Sequence, residues 1–256
     1  MWGCSFIGAL ALLAISRIKK IPLPKDRRIW AHLWVVSMLL NVVPGVLFAV
    51  AETNITSILA GIINAVTPLM TLLVMMTLFR EEKPERYQVI GLLVGFTGVL
   101  IVLGAWNGLG ANPILALLAA VTCYGFSFPY SRRYVLPHKL APEALATTQV
   151  CFAAITRLPL FIFHGVTKYQ LRVGPVSAML ALGILGTGYA YIWNFQILAA
   201  AGSAIASSVT YVTPVIAVLV GVLFLSEPVT WNEPIGGVVV LIGAAISQGR
   251  IRLNRV

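Results

Sequence analysis

Long apolar runs alternate with short stretches rich in charge, proline and glycine along all 256 residues of the chain. Bounding each run by those breakers predicts nine helices, at roughly 1–16, 31–50, 56–79, 87–105, 113–131, 143–163, 175–198, 203–225 and 234–249. The second to the eighth hold about 19 to 24 residues, enough at about 1.5 Å per residue to cross a hydrocarbon core of about 30 Å. The first covers only about 24 Å on the same rise. The expected fold class is therefore an all-α polytopic membrane protein, multi-pass in the plasma (cytoplasmic) membrane, with the lipid bilayer as its first partner.

Composition agrees, since 59% of the residues are hydrophobic and 10% charged, whereas soluble domains carry about a quarter charged. The net charge of +10 follows topology and needs no nucleic acid. Fifteen basic residues, in the groups Arg17 to Arg28, Arg80 to Arg86, Arg132 to Lys139 and Arg250 to Arg255, fall on one side of alternating loops. Only Lys168 and Arg172 fall on the other, and Arg157 lies within the sixth span. The positive-inside rule then places the C-terminus in the cytoplasm and, with nine spans, the N-terminus outside, the first run reading as a retained span.

The acids are Asp26 and seven glutamates, nearly all at span ends or in loops, and Cys4, Cys123 and Cys151 lie singly in apolar runs. A hydrolytic acid pair, a disulfide framework and a metal site are all hard to build from that inventory. The sequence calls for no cofactor, and no carboxylate or histidine sits near a span centre to relay protons.

Sliding the chain against itself by 146 residues aligns the third and fourth spans with the eighth and ninth. Ser57, Ala60, Val66, Thr67, Pro68, Leu73, Val74, Glu81, Gly91 and Val94 recur as Ser203, Ala206, Val212, Thr213, Pro214, Leu219, Val220, Glu227, Gly237 and Val240, ten identities in 38 ungapped positions. The chain crosses the bilayer five times between equivalent spans, an odd number, so the repeat is expected in inverted topology, with halves at 1–106 and 107–256. Secondary transporters of this kind hold their solute near the midplane.

The repeated pattern, small residues leading to Thr-Pro and ending in a Glu before a glycine-rich span, resembles that of the EamA-type permeases of the drug/metabolite transporter superfamily. It runs from Ala60 to Glu81 and on through Gly91-Leu92-Leu93-Val94-Gly95-Phe96-Thr97-Gly98, and again from Ala206 to Glu227 and on to Gly236-Gly237 and Gly243. The resemblance implies five-plus-five inverted repeats with cytoplasmic termini, moving metabolites, amino acids or drugs by alternating access. The start departs from that pattern. Trp2-Gly3-Cys4-Ser5-Phe6 resembles the opening of the family's first helix, while Gly8 to Arg17 resembles the end of its second, as if the two were fused.

Candidate solute-binding residues cluster on two stripes and two walls. Pro68 and Pro214 near span centres free the carbonyls of Asn64 and Thr210, which in lipid need a partner or a water-filled cavity. Asn64 and Thr67 stand on one stripe, Ser207 and Tyr211 on the other; Tyr191 and Asn194 in the seventh span, Asn41 in the second, and Tyr124 and Ser127 in the fifth complete the set. Aromatic rings with hydroxyl or amide neighbours suit an amphipathic small molecule. The competing reading is close helix packing with hydroxyls bonded back to their own helix. Arg157 reads either as a counter-charge for an anionic solute or as a snorkelling side chain. Gly91 and Gly95 read as a packing motif. The expected function is a secondary transporter for a small organic solute; a non-transporting remnant or assembly subunit and an intramembrane enzyme are the alternatives. A homodimer is an admissible assembly.

Overall fold

The computed structural model describes residues 2–79, 86–104, 111–164, 173–226 and 229–249. Glu81 and Glu227, and the basic residues Arg80, Lys83, Lys168, Arg172, Arg250, Arg252 and Arg255, lie outside the described residues. Nine helical stretches are found among those described: α1 (Trp2–Ile18), α2 (Arg27–Ala51), α3 (Ser57–Phe79), α4 (Arg86–Gly104), α5 (Ala111–Tyr134), α6 (Pro142–His164), α7 (173–201), α8 (203–224) and α9 (Asn232–Ser247). No strand occurs among them.

The helices depart from regularity where the sequence demands it. Pro68 and Pro214 do not kink continuous helices; they start new ones. α3 ends its first part at Asn64, turns through Ala65 and Val66, and restarts at Thr67 with Pro68 in its first turn, where a missing N–H leaves nothing unsatisfied. In α8 a 3₁₀ segment, Ser208–Val212, precedes the restart at Thr213-Pro214. Both prolines thus make discontinuous helices. Two further irregularities are also related by the 146-residue offset. The π-turn Met38–Val42 in α2 corresponds to 184–188, inside the π-segment Leu182–Tyr189 of α7. The predicted gap between the seventh and eighth spans shrinks to one residue, Gly202, at φ 82° and ψ 179°, a region essentially closed to side chains.

Two compact units emerge, and each draws on both halves of the sequence. Unit 1 comprises Met1–Val42 and Tyr130–Gly202, unit 2 Val43–Pro129 and Ser203–Val256. Every point where the chain passes from one to the other lies at an irregularity already named or at Pro129 inside α5.

In unit 1, α1 packs on α6 and on the π-segment of α7. Trp2 stacks between Phe6 and Phe161 and donates its indole N–H to the Ala154 carbonyl at 3.0 Å. A buried hydroxyl pair, Ser16 and Thr147 at 2.9 Å, ties the other end of α1 to α6. Gly8 lies so close to the π-segment that a Cβ there would stand 2.9 Å from the Gly183 carbonyl oxygen.

Unit 2 is built around α3, whose most apolar stretch is 78% buried. Ile58, Leu59, Ile62 and Ile63 of α3 pack with Val102, Leu117 and Val121, and Leu69 packs with Leu92, Val99 and Val240. α4 and α9 meet backbone to backbone. A Cβ at Gly91 would lie 2.5 Å from the Gly243 oxygen, one at Gly98 2.6 Å from the Val240 nitrogen, and one at Gly236 2.8 Å from the Gly98 oxygen. The predicted packing motif of Gly91 and Gly95 lies against Gly243 of α9 and is extended by Gly98, while Gly95 also meets the Leu69 side chain of α3.

Candidate functional site

The nine candidate residues divide between the two units, and in each unit some of them form a polar centre. In unit 1, Asn41 sits in the π-turn of α2 and is 6% exposed. Its amide N–H donates to the Tyr191 hydroxyl at 2.6 Å, and its side-chain oxygen accepts from the Gln149 amide at 2.7 Å. Arg157, eight residues along α6 from Gln149, donates through Nη1 to Ser5 Oγ at 2.8 Å and through Nη2 to the backbone carbonyl of Asn41. Side chains lean toward a helix's N-terminus, which lets the arginine reach back over the turn that carries Asn41. Arg157 is therefore turned into the helix assembly of unit 1, not outward as a snorkelling side chain. Asn194, one turn beyond Tyr191, is half-buried.

The π-turns explain how Asn41 serves on both its backbone and its side chain. A wider turn lets a helical carbonyl tilt away from the ladder, and Pro44, three residues after Asn41, removes another donor from the same stretch. In the related segment of α7, the Thr187 hydroxyl donates five residues back, to the Leu182 carbonyl at 3.2 Å. The repeat mate of Asn41 thus bonds within its own helix, and the partner of Asn41 is Tyr191, one turn further on.

In unit 2 the two proline breaks meet. Asn64 ends the first part of α3, and its amide reaches Thr213 Oγ1 at 3.5 Å, while Thr67 donates its hydroxyl to the Asn64 oxygen at 3.3 Å. Thr67 and Thr213 precede the two prolines, so one asparagine links both restarts. Tyr211 packs against the cluster formed by Ala65, Val66 and Leu69. Tyr124 is half-buried with its ring stacked on Phe48 at 6.1 Å.

Other members of the set bond locally. Ser127, 1% exposed, donates to the Tyr124 carbonyl at 2.8 Å; Ser207, fully buried, donates to Ala204 at 3.0 Å; Thr71 and Thr210 do likewise to Thr67 and Ser207. The small stripe of α3 is a packing surface at Gly61, which meets the Ala217 side chain of α8.

Gln149 and Ser5 were absent from the candidates read off the sequence. For Gln149 a signal existed: Thr147-Thr148-Gln149 is a polar triplet inside an otherwise apolar helix, and all three are buried. An amide cannot be left in hydrocarbon without a partner. Ser5 carried no comparable signal, since serine is tolerated in membrane helices by bonding to its own backbone.

With this geometry in view, the chain was compared with known proteins. The model of the EamA-like transporter family matches residues 2–104 and again 111–248. The aromatic amino acid exporter YddG of Salmonella typhimurium (strain 14028s / SGSC 2262) is 29% identical over 204 residues, covering 77% of this chain and 68% of the exporter. The inner membrane transporter YedA of Escherichia coli (strain K12) is 27% identical over 259 residues, covering 98% and 81%. A solved crystal structure shares the fold with a TM-score of 0.69 at 21% identity, over 98% of this chain and 88% of that one. Two matched repeats, an all-helical apolar fold and transporter relatives converge: the chain belongs to the EamA-like transporter family and is a polytopic membrane permease for small-molecule solutes.

Proposed function

We propose that the chain is a secondary permease that moves an amphipathic organic solute unchanged, with amino acids carrying an aromatic or large apolar side chain as the first class to test. The observation that carries this reading is the pair of discontinuous helices in unit 2, joined at their breaks by Asn64 and Thr213. Backbone groups released in mid-membrane need polar company, and transporters use such breaks to hold solute. The same logic assigns solute contacts to Asn41, Asn64, Thr67, Tyr124, Ser127, Tyr191, Asn194, Ser207 and Tyr211. The name of the YddG relative motivates the solute class.

Alternating access requires one body of helices to move against another while each stays intact. The three passages between the units, at the π-turn end, Pro129 and Gly202, are suited to that because each already lacks a regular backbone ladder. The repeats are taken as 1–106 and 107–256, with the C-terminus cytoplasmic by the distribution of Lys and Arg.

The test is solute flux into proteoliposomes by wild type, Asn64→Ala and Tyr211→Ala, each normalised to inserted protein. A raised half-saturation concentration or altered selectivity in both variants supports the reading. Wild-type kinetics in both would remove the stripes of α3 and α8 from the solute path. Cysteine labelling near Arg133 from the cytoplasmic side checks orientation; labelling from outside alone would reverse it.

A further inference from the structure

The centre of unit 1 holds chemistry beyond a solute wall. Arg157 brings a permanent positive charge into a membrane helix and directs it at two neutral oxygens, Ser5 Oγ and the Asn41 carbonyl. Around the same asparagine, two fully buried side chains offer oxygen atoms that no described group donates to: Oε1 of Gln149 and Oγ of Ser37. Gln149 already spends its N–H on Asn41, so its oxygen lies in the same network, and Ser37 stands one helical turn before Asn41. Buried acceptors without donors are rare in native interiors, so each calls for an explanation. Here the cation and the Gln149 amide meet at a single residue, Asn41, whose backbone and side-chain oxygens are at most roughly 5 Å apart by covalent geometry, and Ser37 stands one turn before it on the same helix.

We propose that this centre binds the head group of a zwitterionic α-amino acid, the carboxylate on the Arg157 guanidinium and the ammonium on the oxygens of Gln149 and Ser37. A guanidinium matches a carboxylate through paired N–H groups, and an ammonium supplies three donors and no acceptor, which is what two unpartnered oxygens require. A solute lacking either charge leaves part of the centre unmatched. The assignment rests on the permease reading for transport, though the binding it describes can be measured without flux.

The purified full chain is titrated in detergent with L-phenylalanine, with 2-phenylethylamine, which lacks the carboxylate, and with 3-phenylpropionate, which lacks the ammonium; counterflow of each is measured in proteoliposomes. Wild type is expected to bind L-phenylalanine about tenfold or more tightly than either analogue, the selectivity expected when removal of one charged group strands buried partners. Arg157→Gln should erase the preference over the amine, Arg157→Lys should keep part of it, and Gln149→Met should erase the preference over the acid. If Arg157→Gln does not insert, the lysine and methionine variants decide the matter, because each predicts loss against one analogue and not the other. Equal binding of all three solutes by wild type, or full discrimination by an inserted Arg157→Gln, overturns the head-group site. Discriminating binding without counterflow upholds the site and defeats the permease reading; counterflow without discrimination does the reverse. No binding and no counterflow removes both.

Discussion

Unit 1 and unit 2 differ in what most joins their helices. In unit 1 the contacts are polar and long: a guanidinium, two amides, a phenol and three hydroxyls join α1, α2, α6 and α7. In unit 2 the tightest contact is made by missing side chains, with Gly91, Gly98, Gly236 and Gly243 letting α4 and α9 touch along their backbones. Lipid tails are as apolar as leucine, so helices in a bilayer associate through close packing or hydrogen bonds and gain little from hydrophobic exclusion. The two units show both solutions in one chain. Unit 2 should therefore fail when atoms are added, and unit 1 when polar atoms are taken away.

Four substitutions and one matched control would break or sharpen that contrast. Gly91→Leu should have the largest effect, since backbone atoms of Ser247 and Gly243 cannot give way; a loss of about 3 kcal/mol or more would appear as little monodisperse protein after extraction. Gly186→Ala in unit 1, where the nearest atom is Leu182 Cδ2 at 3.7 Å, is the matched control and should extract like wild type. Asn41→Leu comes next. It strands the Tyr191 hydroxyl and the Gln149 amide, each worth about 1–3 kcal/mol when buried and unsatisfied, so the thermal midpoint in detergent should fall clearly. An unchanged midpoint would mean that the polar network does not hold unit 1. Thr213→Val removes the acceptor of a long, partly exposed bond and should lower stability by under about 1 kcal/mol, while raising the half-saturation concentration for transport; a change in stability alone would reassign the α3–α8 link to packing. Lys19→Ala should have the smallest effect. Its 3.0 Å pair with Glu143 is made by a side chain 56% exposed, and such pairs contribute under about 1 kcal/mol, so the midpoint should stay within error at any salt concentration.

How much of this was legible in the sequence depended on range. The helices were found within a few residues because hydropathy is a local signal and the bilayer fixes the length it must fill. The proline breaks were legible as well, since Thr-Pro recurs at a fixed offset and a proline's missing N–H acts within one turn. The π-turns were not: Met38-Leu39-Leu40-Asn41-Val42 reads like any apolar helix around one asparagine. Nor does a glycine pattern name its partner. Gly91 and Gly95 fit a four-residue spacing and both meet Gly243, yet Gly98 faces α9 with them, an extension set by a helix about 150 residues away. Arg157 was visible as an anomaly, but Ser5 and Asn41, which accept from it, lie on helices remote in sequence, and one sequence read alone carries no sign of that pairing.

Gly202 has a consequence for the whole topology. It is the break between α7 and α8 within the 51 residues Gly174–Phe224, which as one unbroken helix would be about 77 Å long on a 1.5 Å rise, more than twice the thickness of the hydrocarbon core. A rod of that length crosses once and then projects into water with an apolar surface. The turn between two successive apolar helices thus rests on a backbone conformation that a hydrogen atom in place of a methyl group makes accessible. A Cβ there would stand 2.7 Å from Arg132 Nη1 and would have to adopt φ 82°. Few positions in a chain of 256 residues settle so much with so little.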